Sequence, residues 1–161
     1  LEFNARNDAD RTFRIRTLGV ASGGASTEGI TMGRILINPA GLKALDAYTH
    51  VAIGTGQTVI HFAGQVAFDA DGNVIGEGDL RAQVIACMNN LKIAMDAVGA
   101  TWHDIVRRTV YATELGEPGT IARAIKEVTG DVQSPPQTMV KVAGLALPTL
   151  LVEIEATAVI G

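Results

Sequence analysis

Residues 57–66 read Gln-Thr-Val-Ile-His-Phe-Ala-Gly-Gln-Val, a strand with little polarity on either face. Successive strand side chains point to opposite sides, so Val59, His61 and Ala63 share one face and Ile60 and Phe62 the other. A strand that is apolar on both sides has to be covered on both sides. Helices can cover one face. A second copy of the chain is the natural cover for the other.

The rest of the sequence supplies the elements for such an arrangement. Tyr48 to Ile53 reads as a strand, joined to the 57–66 strand by Gly54-Thr55-Gly56, which has the composition of a hairpin loop. A helix starts after Asp79, a good N-cap, and runs to about Val98, with Gly99 as its stop. Leu80, Val84, Met88, Leu91, Met95 and Val98 recur at three- and four-residue spacing as its buried stripe. Cys87 lies beside that stripe and reads as a small buried hydrophobe. Thr101-Trp102-His103-Asp104 spells a capping-box-like turn.

Arg108 to Glu114 reads as a third strand, rich in β-branched and aromatic residues. A second helix is expected from Pro118 to Thr129, with Ile121, Ile125 and Val128 inward and Gly130 as its stop. Thr138–Val142 and Leu150–Val159 close the chain as strands. The order ββ-α-β-α-ββ implies an α+β fold, a mixed β-sheet with both helices packed on one face. Ile37-Asn38-Pro39-Ala40-Gly41 is turn chemistry that opens a single domain over residues 34–161. Residues 1–33 read as an extension. In it Leu1-Glu2-Phe3 looks like a cloning remnant, Thr12–Arg16 alternates like a short exposed strand, and Gly23-Gly24 reads as flexible.

Composition narrows the function classes. Hydrophobic residues make up 47 % and charged residues 19 %, which argues against disorder. The net charge is −4 and the thirteen basic residues are dispersed, so nucleic acid is not expected as a partner. One cysteine permits no intrachain disulfide and fits a reducing compartment. With no signal-peptide pattern at its start and no long apolar run, the chain is expected in the cytoplasm without a membrane partner. Three scattered histidines lack metal-ligand spacing, and neither a P-loop nor a dinucleotide fingerprint is present, so no metal or cofactor is expected.

The C-terminal third carries the most telling pattern. Ser134-Pro135-Pro136-Gln137-Thr138 leads into Met139-Val140-Lys141-Val142-Ala143, and Leu151-Val152-Glu153-Ile154-Glu155-Ala156 follows. Together with Asn38-Pro39-x-Gly41, Tyr48-Thr49-His50, Ala63-Gly64-Gln65, Asn90-Leu91-Lys92, Ala97-x-Gly99 and Asp104-Ile105-Val106, this layout resembles the Rid family. These are the reactive intermediate deaminases, also called YjgF-like or L-PSP proteins. The resemblance covers residues 37–160. It implies a chorismate-mutase-like Rid fold, a homotrimer, and small-molecule clefts between adjacent subunits. The reaction it implies is hydrolysis of an enamine or imine to a ketone and ammonia.

The resemblance also assigns roles. A tyrosine, the serine of a Ser-Gly-Gln motif, a helix asparagine, a carboxylate-gripping arginine, a cysteine and a strand glutamate line the family's cleft. By that correspondence Tyr48 and Glu153 are the catalytic candidates, with Glu153 orienting the attacking water. Gly64 and Gln65 match, whereas Ala63 stands at the serine, Ala122 near the asparagine, Gln137 at the arginine and Met139 at the cysteine. Loss of the arginine removes the bidentate carboxylate clamp. Gln137 reads either as a neutral ligand contact or as a cap on its turn. His61 shares a face with Ala63 and reads either as an acid/base group or as a satisfied interface residue. Arg123 reads either as a displaced cation or as part of a solvated helix face. His50 and His103 read as surface or turn residues.

Three functions compete. The first is a trimeric Rid-like enzyme hydrolysing or tautomerising an imine, enamine or related carbonyl compound, though not a standard 2-imino acid. The second is a non-catalytic trimer that binds a small metabolite in the same cleft. The third, a ribonuclease or translation inhibitor, conflicts with the acidity and the scattered basic residues.

Overall fold

In a computed structural model the chain is described over residues 33–43, 45–117 and 119–161. The elements in order are β1 (Gly33–Ile37), β2 (Val51–Thr55), β3 (Thr58–Val66), α1 (Leu80–Asp96), β4 (Ile105–Ala112), α2 (Thr120–Thr129), β5 (Gln137–Lys141) and β6 (Val152–Ile160). The expected extension, with its short strand and its glycine pair, lies outside the described residues, as does Pro118.

Strands β3, β6, β4 and β5 form one sheet in that order. The β4–β5 pair is parallel and the other two pairs are antiparallel. A parallel pair needs a crossover, and α2 supplies it. Alternation in β6 separates the two faces. Val152, Ile154, Ala156 and Ala158 are buried against the helices, while Glu153, Glu155 and Thr157 between them turn to the other face. This is the expected α+β layout, with two helices over a mixed sheet.

Helix α1 starts as its sequence dictates, with the Asp79 carboxylate accepting from the Ala82 amide at 3.0 Å. Leu80, Val84, Cys87, Met88, Leu91 and Met95 are all buried. Val98 is not; the helix ends at Asp96, and the turn through Gly99 (φ 71) leaves Val98 45 % exposed. Polar residues of α1 also fix strand ends. Asn90 Nδ2 donates to the carbonyls of Val66 (3.0 Å) and Phe68 (2.9 Å), closing the end of β3. Buried Gln83 donates to Thr149 O (2.8 Å) and accepts from the Leu151 amide (2.8 Å), setting the entry to β6.

The hairpin reading of Gly54-Thr55-Gly56 needs correction. β2 pairs with β1, not with β3, and the glycines carry the chain from a two-stranded sheet into the four-stranded one. A side chain at Gly56 would sit 2.5 Å from the Ile160 carbonyl oxygen, so glycine serves close packing against β6 there. β1 is a strand that turn chemistry at 37–41 had hidden. β4 begins at Ile105, three residues earlier than its composition suggested, and ends at Ala112.

Candidate functional site

Two groups of candidate residues emerge, on opposite faces of the sheet. The first lies on the face away from the helices. Between Phe62↔Ala156 and Gln65↔Ile154 the register of β3 against β6 shifts, so Ala63 and Gly64 together oppose one residue of β6. Such a bulge bends a strand and re-aims its side chains. It brings the backbone of Gly64 directly beneath the Glu153 carboxylate. A methyl group at Gly64 would overlap Glu153 Oε1 and lie 2.7 Å from its Cδ. The space a side chain would need here is taken by the Glu153 side chain itself, and no backbone angle calls for glycine.

His61 and Tyr111 border this group. His61 pairs with Thr157 across β3 and β6, its Nδ1 3.3 Å from Thr157 Oγ1. Tyr111 of β4 pairs with Glu153, and its hydroxyl donates to Glu155 Oε1 at 3.2 Å. Desolvation first, then the charges of Glu155 and Glu153, push the Tyr111 hydroxyl above its ordinary pKa. The face therefore offers two carboxylates, a protonated phenol and an imidazole, a set able to accept and return a proton.

The second group lies on the helix face. Gln137 pairs with Arg108 in the parallel β4–β5 ladder, so their side chains share a side. That side is the interior, because Arg108, Val110 and Ala112 are all buried. Arg108 Nε donates to Gln137 Oε1 at 2.6 Å. The bond fixes the amide: its oxygen faces Arg108 and its Nε2 donor is the end left over. Among the described residues no fully buried polar side-chain atom lacks a partner, so that donor reaches water. Burial first, and the charge of Arg34 second, push Arg108 down to about 10.

Tyr48 belongs near this second group. Thr49 Oγ1 donates to Ser134 O at 2.8 Å and the Thr49 amide to Pro135 O at 3.4 Å, tying the Tyr48 segment to the turn that carries Gln137. The Tyr48 ring meets His50 edge-on at 5.4 Å. Met139 pairs with buried Val110 on the same side as Gln137 and is 38 % exposed on the edge strand.

The remaining candidates fall elsewhere. Gln65 turns its amide back onto Ala63 O at 3.0 Å. Arg123 folds onto the first turn of α2, donating to Thr120 Oγ1 at 3.3 Å, and Ala122 is half-buried beside it. Sequence reasoning missed Arg108, Tyr111 and Arg34. An arginine within a strand gives no local sign of burial, whereas Tyr111 could have been found from its alternation with Val110 and Ala112.

A family model described as endoribonuclease L-PSP matches residues 39–160. A RutC family protein from Pyrococcus abyssi is 30 % identical over 99 residues, covering 62 % of this chain and 76 % of that protein. Among solved structures, YyfB from Yersinia pestis, a protein of unknown function in the conserved Rid family, is 33 % identical with a TM-score of 0.74. The match covers 80 % of this chain and 100 % of that one. A member of the YjgF/YER057c/UK114 family from Mycobacterium tuberculosis is 28 % identical with a TM-score of 0.54, covering 79 % and 99 %. Among the described residues no helix is long and apolar enough to cross a membrane.

Proposed function

This chain belongs to the endoribonuclease L-PSP family, the Rid or YjgF proteins, and on that premise we propose that it hydrolyses small imines or enamines at clefts completed by a second copy of itself. The observation that carries the reading is the Glu153 carboxylate seated over Gly64 at the β3 bulge. Glu153 and Gln137 occupy opposite faces of the sheet and strands separated by β4. One chain cannot bring them to a single ligand. A neighbouring copy laid on the uncovered face can supply the Gln137 half to the Glu153 half, and a trimer closes the arrangement.

In this reading Glu153 accepts a proton from water as the water oxygen attacks the C=N carbon. The proton passes to nitrogen to give a carbinolamine. Its hydroxyl proton then moves, through Glu153, to the same nitrogen as the C–N bond breaks and C=O forms, and ammonia and a carbonyl compound leave. An enamine first takes a proton on carbon to become the imine. Gln137 presents an amide donor where the family presents a guanidinium. An amide can bond a neutral acceptor but carries no charge to hold a carboxylate. The substrate class is therefore a neutral imine or enamine, not a 2-imino acid.

Ammonia release from a panel of freshly generated neutral imines and enamines tests this. Turnover is expected in the wild type and lost in Glu153→Gln, and release from 2-imino acids should be slow or absent. Robust turnover of 2-imino acids would overturn the reading of Gln137. Ala63 and Met139 favour a second reading, a metabolite-binding trimer, because they make the cleft less polar than the family's. Saturable binding without chemical change across the same panel would select it.

A further inference from the structure

Arg108 is 3 % exposed, and its guanidinium makes one side-chain hydrogen bond among the described residues, Nε to Gln137 Oε1. Among the described residues the charge that acts on it is that of Arg34, another cation. Arg34 itself donates to Ile105 O and, at 2.6 Å, to Gln133 O. A guanidinium withdrawn from water without a counter-charge is strongly unfavourable. Arg34 has the charge of Asp104 to answer it; Arg108 is the arginine that faces a small space.

That space is a cavity of about 10 Å³. Arg108 lines it, along with Leu91, Trp102, Ile105 and the Gln133–Pro135 turn. Among the described residues its Nη groups have no hydrogen-bond partner, and since no fully buried polar side-chain atom there lacks one, they border room for solvent. The nearby acceptors are already engaged: Gln133 O by Arg34, Ser134 O and Pro135 O by Thr49. A cavity of this size admits about one water-sized particle. A water could occupy the donors but would leave the charge.

We propose that this cavity is a binding site for a single halide-sized monovalent anion, held by the Nη donors of Arg108. It is distinct from the Glu153 face and does not depend on the catalytic reading. The anion would neutralise the buried charge and lock the β4–β5 edge, including the Arg108–Gln137 bond.

Thermal unfolding of the full chain tests the proposal, with sodium chloride exchanged for sodium methanesulfonate at constant ionic strength. Chloride is expected to raise the melting temperature of the wild type by about 2–4 °C. In Arg108→Met that dependence should vanish. An anomalous peak beside Arg108 in bromide-soaked crystals of the wild type is expected as well, and it needs no variant to fold. Equal melting in the two salts would overturn the proposal. So would an undiminished chloride effect in Arg108→Met, or a bromide soak that shows only water at Arg108.

Discussion

The carboxylate of Glu153 rests on the backbone of Gly64, so closely that the methyl of an alanine would lie 2.9 Å from Glu153 Cγ. The contact joins two strands that α1 holds at their ends, β3 through Asn90 and β6 through Gln83. The backbone on both sides of the contact is thus tied to the helix layer.

Gly64→Ala should fold and lose stability by about 0.5–1.5 kcal/mol, the cost of turning the Glu153 side chain, whose atoms lie nearest the methyl, off its preferred rotamer. The same change in a Glu153→Ala background should cost much less, because the carboxylate that obstructs the methyl is gone. Urea unfolding of the four proteins gives the coupling. Strictly additive losses would mean that Gly64 does not seat Glu153.

Gln137→Arg introduces the residue that the resemblance implies at this position and should nonetheless harm this chain. It sets a second guanidinium beside Arg108, where Nε now has an acceptor 2.6 Å away. The loss should be about 3 kcal/mol or more, that of a buried charge with its partner removed. Gln137→Glu keeps an acceptor, adds an opposite charge, and should leave stability equal or higher. Chemical denaturation distinguishes the two. Wild-type stability in Gln137→Arg would show that Arg108 does not need the amide oxygen.

Cys87 is fully buried, its thiol near Val152 O at 3.6 Å, and burial pushes its pKa from 9.0 up to about 12. The folded chain therefore keeps this proton at pH values where the unfolded chain releases it. Stability from this group is complete below about pH 9 and declines by about 1.4 kcal/mol per unit between pH 9 and 12. Cys87→Ala should flatten that part of the pH–stability curve. At pH 8, iodoacetamide should label no thiol in the native protein and one per chain in urea, since the sequence has one cysteine.

The parts of the fold that were legible are those encoded within a few residues. The α1 stripe, its Asp79 cap and the alternation of Leu151–Val159 each specify an element and its buried face. Pairing was less legible, because Gly54-Thr55-Gly56 has hairpin chemistry whether or not its flanking strands meet. Among the candidate residues, the resemblance pointed to Gly64 and Glu153, and the bulge brings the two together. The side taken by Gln137 was hidden, since a one-residue slip of β5 against β4 would send it to the other face. Its bond to Arg108 was hidden for the same reason.

The face away from the two helices ties these observations to assembly. Val59 on β3 and Val140 on β5, at its two edges, are 58 % and 41 % exposed, and Glu153 lies on β6 between them. The mass of the chain in solution at micromolar concentration, by sedimentation or light scattering, tests the shared cleft most directly. The account predicts a trimer, three times the 16.8 kDa of one chain. A species of 16.8 kDa would contradict it, because the Gln137 and Glu153 halves would then have no means of meeting.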